Sequence, residues 1–312
     1  LAELEIHSAL CAPVALDGSV TGYLYFDARG RESHVRTDAA AFCESLATAF
    51  ALAVANIKRA ALEERETHMR AQLAAAREVQ QMVSPVERAR LGPIEYAFRT
   101  LPGSFVAGDL FDTVEMPGGG IAVCIGDVAG HGVSAGMLMA SVQAFLDAQL
   151  RTLSPGVCPS AAVVELNRFL CERPLAGRFV SLWVGVFWPD GTLIYIDAGH
   201  GHWLHLAASG DTISHDDLAA HGGVPVGVTP DAVYTPGTLD LGRGERILLF
   251  SDGITEQRGA GREEFGAARL RESLIGATGP AADIDAAFNA LRGFMTSAVL
   301  DDDATAASIG LV

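Results

Sequence analysis

The stretch Ile125-Gly126-Asp127-Val128-Ala129-Gly130-His131-Gly132 decides how the chain is read. It follows the apolar run Ile121–Ile125, which is short, rich in β-formers and bounded by glycines, as a buried strand is. Asp127 falls where that strand ends. Gly130 and Gly132 mark a turn, and the Ala-, Met- and Leu-rich stretch at about 134–150 has helical texture. The motif therefore places a carboxylate on the connection between a strand and a helix.

The same arrangement recurs. Asp109 lies in Val106-Ala107-Gly108-Asp109-Leu110-Phe111-Asp112. Asp252 ends the run Ile247-Leu248-Leu249-Phe250-Ser251-Asp252-Gly253, and Asp302-Asp303-Ala304-Thr305 precedes a final strand. An aspartate followed by a small residue is commonly a turn former, and that reading stands for any one of them. If the strands belong to two packed sheets, four such ends can converge. Carboxylates so close would repel and raise one another's pKa. A divalent cation removes the repulsion, and oxygen ligands without His or Cys partners favour Mg²⁺ or Mn²⁺ over Zn²⁺. Two ions about 4 Å apart can clamp a phosphoryl group and activate a water.

Working outward, strand-like runs recur at Val114–Met116, Ile121–Ile125, Ser181–Phe187, Leu193–Ala198, His202–Leu206, Arg246–Phe250 and Ala306–Val312. Helix-like stretches lie at about 134–150, 160–171, 263–274 and 281–299. Hairpin turns such as Pro189-Asp190-Gly191 join neighbours, so the class is α+β with antiparallel sheets. Pro117-Gly118-Gly119-Gly120 has no following Lys-Ser/Thr and reads as a turn, not a phosphate-binding loop.

The N-terminal part differs. Two β-rich runs flank Asp17-Gly18, a hairpin signal. A helical pattern starts near Asp38, with Phe42, Leu46, Phe50 and Ile57 on one face. Leu62, Met69, Ala76 and Val83 continue it at intervals of seven, the spacing of a weak coiled-coil seam. A single amphipathic helix packed on its own domain is the alternative. The helix should end at Ser84, before Pro85.

Composition sets limits. The chain has 312 residues, 22 basic and 38 acidic, and 49% are hydrophobic. At roughly 150 residues per domain, two domains are expected. Residues 91–312 hold 12 basic and 26 acidic side chains, against 10 and 12 in residues 1–90. Such acidity disfavours nucleic acid and anionic membranes as partners. No apolar run of about 18 residues is evident, and no signal peptide, so a cytoplasmic protein is expected. Cys11, Cys43, Cys124, Cys158 and Cys171 are scattered and read as reduced, mostly buried thiols.

Taken in order, the motifs resemble the metal-dependent protein phosphatases (PPM family), in particular the bacterial SpoIIE/RsbU-type branch. The resemblance covers about residues 70–312. It rests on Ala76-Arg77-Glu78-Val79-Gln80-Gln81-Met82-Val83-Ser84-Pro85, Gly108-Asp109-Leu110-Phe111-Asp112, Gly126-Asp127-Val128-Ala129-Gly130-His131-Gly132, Asp197-Ala198-Gly199-His200, Gly223-Val224-Pro225-Val226-Gly227, Ser251-Asp252-Gly253-Ile254-Thr255-Glu256 and Asp302-Asp303-Ala304-Thr305. It implies an α-β-β-α sandwich of two antiparallel sheets flanked by helices. It also implies a site in which Asp127 bridges two Mn²⁺ or Mg²⁺ ions, the Val128 carbonyl is a further ligand, and Asp109, Asp252 and Asp302 complete the set. The implied activity is hydrolysis of phosphoserine or phosphothreonine on a signalling protein, often a STAS-type anti-sigma-factor antagonist, by a metal-activated water. The other readings are a catalytically silent scaffold that binds a partner and a phosphohydrolase of small molecules on the same fold.

Ala107, Leu110, Gly136 and Asp197 depart from the pattern, but none removes a carboxylate. Asp302 is favoured over Asp303 as ligand by the motif match, and Asp112 is read as a turn or supporting carboxylate. His131 is either a general acid or a structural histidine. His200 and His202 have metal-binding spacing on a strand but, lacking further soft ligands nearby, read as hairpin residues. Arg99 and Arg178 are candidates for phosphate contact, with a surface role as the alternative. Residues 1–58 resemble the C-terminal part of a GAF domain, followed by a helical linker at 59–90 and the phosphatase domain at 91–312. The linker is expected to form a homodimer and to gate the enzyme by moving the helix at about 134–150.

Overall fold

The computed structural model describes residues 6–16, 18–29, 36, 38–103, 106–130, 132–173, 177–213, 222–296 and 300–312. Two compact units emerge, Leu1–Gln72 and Leu73–Val312.

In the first unit, β1 (Ile6–Leu16) and β2 (Ser19–Arg29) form an antiparallel hairpin. Leu16 pairs with Ser19, so the turn is two residues long, and Gly18 takes φ +79°. A glycine with positive φ in the second loop position is a common way to close a two-residue hairpin. Asp17 itself lies outside the described residues. Ala12 and Val14 pack on Cys43, Ala47 and Ala51, which recur every four residues along α1 (Ala39–Val83) and so share one helical face. Most other apolar side chains of α1 are exposed, Leu62, Met69 and Met82 among them. Contrary to expectation, α1 holds an 18-residue window of mean hydropathy 1.6, long and apolar enough to cross a membrane by length and composition. Its apolarity is spread over alanines rather than a run of large side chains, which is why no such segment stood out in the sequence.

The second unit has four layers. A five-stranded sheet has the order β11 (Gly237–Asp240), β8 (Thr192–Ala198), β7 (Val180–Phe187), β6 (Ile121–Val128), β5 (Asp109–Glu115). A six-stranded sheet has the order β10 (Thr212–Ile213), β9 (Trp203–Leu206), β12 (Arg246–Phe250), β13 (Ala304–Leu311), β4 (Ile94–Leu101), β3 (Arg88–Leu91). All pairings between these strands are antiparallel. Alternate residues of each central strand serve different cores. Ile121, Val123 and Ile125 meet Trp183, Ile247, Leu249 and Ile309 between the sheets. Ala122, Cys124 and Val128 face α2 (Val133–Leu150) and α3 (Ser160–Cys171). Leu248 and Phe250 face α5 (Gly266–Leu274) and α6 (Pro280–Phe294). This is the α-β-β-α sandwich.

The central strands and the four long helices fall where the sequence predicts them. The strands β3, β4, β10 and β11 were not anticipated. β3, β10 and β11 have two to four residues, too few to show a period. Arg246 and Asp283 form a fully buried ion pair between β12 and α6, with Ser308 Oγ donating to the same carboxylate. Only Cys43 and Cys124 are buried as expected; Cys158 and Cys171 are half-buried, Cys11 is exposed, and all five thiols are free.

Candidate metal centre

Strand parity sets the site. Asp109 sits directly opposite Asp127 on neighbouring strands, and Asp127 is opposite Ser181 on the next. Each is on the same strand face as the inter-sheet residues Phe111, Ile125 and Trp183. The six-stranded sheet supplies Ser251 and Asp252, where β12 enters the short helix α4 (Asp252–Thr255), and Asp302 just before β13. Asp127, Val128, Asp252 and Asp302 line one cavity of about 360 Å³, together with Phe179, Ser181, His200 and His202. Asp109 instead borders a second cavity of about 280 Å³, beside Gln80, Phe98, Thr100 and Ala107.

Two backbone constraints hold the loops. Gly130 and Gly132 take φ +106° and +81°, values a side chain disfavours, on either side of His131. His131 itself lies outside the described residues. A Cβ at Gly253 would collide with the Asp303 carbonyl, so only glycine lets the Asp252 turn pack on the chain entering β13.

The adjacent pair Asp302 and Asp303 is divided by hydrogen bonding. Asp303 is buried, and its two oxygens accept from the N–H groups of Gly103 at 2.8 Å and Gly108 at 2.6 Å. It is a bracket for the Asp109 segment. Asp302 is exposed to the cavity and accepts the Asp303 N–H at 2.8 Å through Oδ1, which leaves the rest of its carboxylate for the site. Asp112 accepts from Thr113 N–H and from Gln143, in a supporting role.

Electrostatics point the same way. Asp127 is pushed up to about 7, first by burial and then by Asp252, Asp302 and Asp303, with the Val128 N–H opposing. Asp109 is held well above the usual carboxylate range, first by burial and then by Asp127, with the Thr305 and Ser251 hydroxyls opposing. Its Oδ2 is buried without a hydrogen-bond partner. Carboxylates that share a site and are short of donors are a good match for hard divalent cations. Among the described residues, no three His, Cys, Asp or Glu side chains form a ready-made cage for an ion. The carboxylates line the walls of a roomy cavity, which suits ions that keep several waters.

Other candidates resolve differently. Arg99 is tied to Asp285 at 2.8 Å and lies over Phe288, so it is a surface staple of α6. Arg178 donates to Ser134 Oγ at 2.8 Å, while its Nη1 is buried without a partner near Gly130. Asp197 accepts the N–H groups of His200 and Gly201 and shapes their turn. Gly223 and Val226 belong to a strap bonded to Asp197 and Val180. His200 and His202 line the same cavity as Asp127. The sequence hid this, since their connection to Asp127 runs through the pairing of β6 with β7 and not through spacing.

With this geometry in view, the profile of Stage II sporulation protein E (SpoIIE) matches residues 117–311. The chain belongs to the SpoIIE family. The phosphoserine phosphatase RsbU of Bacillus subtilis is 26% identical over 194 residues, covering 62% of this chain and 56% of that protein. Protein IcfG of Synechocystis is 26% identical over 234 residues, covering 66% of this chain and 36% of that one. The chain thus spans about half or less of these relatives. The SiaA PP2C domain of Pseudomonas aeruginosa superposes with TM-score 0.65 at 17% identity, over 79% of this chain and 98% of that one. This SpoIIE-family chain therefore carries a PP2C-type phosphatase fold. The hairpin β1–β2 lies outside the matched residues.

Proposed function

We propose that this chain is a metal-dependent protein serine/threonine phosphatase acting on a signalling partner, with a STAS-type anti-sigma-factor antagonist as its substrate. The observation that carries this reading is the convergence of Asp127 and Val128 from one sheet with Asp252 and Asp302 from the other on a single cavity. Asp127, the Val128 carbonyl, Asp252 and Asp302, with Asp109 behind them, would hold two Mn²⁺ or Mg²⁺ ions. Such ions neutralise phosphoryl charge and make a water acidic enough to attack at neutral pH.

The rest is the work of the chain. Asp303 fixes Gly108 and thereby Asp109 beside Asp127. Phe179 and Ala129 form apolar wall and limit water. No Ser or Cys nucleophile is needed, and none of the five cysteines lines the cavity.

The division into a GAF-like sensor fragment at 1–58, a linker at 59–90 and the phosphatase at 91–312 belongs to the same proposal, as does a cytoplasmic location. Two contacts support gating. Gln80 grips Ala107 at both backbone groups, donating to its carbonyl at 2.8 Å and accepting its N–H at 3.2 Å. Gln143 of α2 donates to the Val83 carbonyl at 2.9 Å and to Asp112 at 3.2 Å. The last turns of α1 are thus fastened both to the residue before Gly108-Asp109 and to α2. Leu62, Met69 and Val83, seven and fourteen residues apart, are exposed, which supports a homodimer through this helix.

The experiment is phosphate release from a phosphoserine-containing STAS protein, with Mn²⁺ or with chelator, at a sedimentation mass measured in the same buffer. Release that needs Mn²⁺, from a dimer, is expected. Cation binding without release from any phosphoprotein would make the chain a scaffold, and a monomer would remove the seam.

A further inference from the structure

The helix α2 is apolar on both sides. Its inner face, with Ala135, Met139, Val142 and Leu146, packs in the core against the five-stranded sheet. Its outer face carries Val133, Met137, Ala140 and Ala144 at i, i+4, i+7 and i+11, a single stripe along the helix. All four are exposed, Met137 by 70%. No charged side chain stands in α2 before Asp147, which Arg151 pairs. A helix whose outer face meets only water normally carries charge there, and an exposed apolar stripe marks a surface that a partner covers.

The stripe runs into the mouth of the Asp127 cavity. Arg178 donates to Ser134 Oγ at 2.8 Å and so ties the start of α2 to the chain entering β7. The next residue, Phe179, lines the cavity and is 40% exposed. Its carbonyl accepts the N–H of Ala129, another lining residue, at 2.9 Å. Val133 and Phe179 thus flank one hydrogen-bonded pair. From that rim the stripe extends to Ala144, about 16 Å along the helix axis.

We propose that this stripe is the docking surface for the phosphoprotein substrate, which would present an uncharged apolar patch beside its phosphoserine. The inference rests on the reading of the Asp127 cavity as a protein phosphatase site. Two observations choose this occupant. A phosphoserine cannot reach the cavity unless its own protein covers the rim that Phe179 forms, and the stripe is continuous with that rim. Residues 91–312 hold 12 basic and 26 acidic side chains, so a phosphorylated partner is repelled over much of this unit but meets no carboxylate along the stripe. Interface centres have this composition, enriched in aromatic side chains and Met and depleted of charge.

The test compares two substrates of the full chain with Mn²⁺. A phosphoserine-containing STAS protein needs docking, and p-nitrophenyl phosphate does not. Met137→Glu and Ala140→Glu each place a charge on the outer face of α2 without entering the core. Ile275→Glu places one on an exposed position at the end of α5, in the opposite helical layer. For the phosphoprotein, kcat/KM is expected to fall about tenfold or more in the two α2 variants, through KM, and to hold in Ile275→Glu. For p-nitrophenyl phosphate, all three should stay within about twofold of wild type. Glu is a strong helix former, so if Met137→Glu folds poorly, Ala140→Glu decides. Unchanged phosphoprotein turnover in the α2 variants, or an equal loss on both substrates, overturns the docking surface while the phosphatase stands. A fall in sedimentation mass in those variants makes the stripe an interface between two copies and overturns it as well. If wild type releases phosphate from p-nitrophenyl phosphate but from no phosphoprotein, both readings fall.

Discussion

Asp302 and Asp303 differ in what their oxygens do, and this separates binding from stability. Asp303→Ala strands the buried N–H of Gly108 and that of Gly103. At about 1–3 kcal/mol for each unsatisfied donor, it should lower stability by about 2–6 kcal/mol. Asp302→Ala loses one bond to an exposed turn and should cost about 1 kcal/mol or less, yet it should weaken Mn²⁺ strongly. Thermal melts without cation, paired with Mn²⁺ calorimetry, read both, and reversed behaviour would exchange their roles. The sequence motif favoured Asp302, but the reason for Asp303 is tertiary and could not be read from spacing. Asp127 carries a pH signature. Its pKa rises from 3.8 to about 7 on folding, so the folded state binds its proton more tightly than the unfolded chain. Its contribution to cation-free stability is therefore greatest at low pH and is lost as pH rises from about 4 to 7. Mn²⁺ must displace that proton, so affinity should fall as pH drops from 8 to 6. Calorimetry in buffers of different ionisation enthalpy should show proton release near pH 7, and no release would contradict the shift.

Among the elements, the last turns of α1 bear on the site most directly. Gln80→Ala removes both bonds to Ala107 while leaving every proposed ligand in place. Turnover is expected to fall at least fivefold, about 1 kcal/mol of barrier, with the melting temperature little changed. Unchanged turnover would uncouple the helix from the Asp109 loop. Legibility followed element type. The strands β6, β7, β8 and β12 are buried on both faces and read as continuous apolar runs. β4 was missed because Glu95, Arg99 and Thr100 break its apolar pattern, although β13 pairs with it along its whole length. Gly136, a departure from the family pattern, has a packing reason, since a Cβ there would strike Val106.

At the scale of the phosphatase unit, the active arrangement comes from stacking two antiparallel sheets so that strand ends distant in sequence meet. Asp127 and Asp302 are far apart in the chain, yet they line one cavity. Strand-end aspartates were visible in the sequence one at a time. Their meeting was implied by family resemblance, and the presence of His200 and His202 in the same cavity was not anticipated. The measurement that tests this convergence most directly is anomalous diffraction from crystals of the chain soaked in Mn²⁺. The account predicts two peaks about 4 Å apart, with Asp127 between them and Asp252 and Asp302 in contact. Peaks elsewhere, or none in this cavity at saturating Mn²⁺, would contradict it.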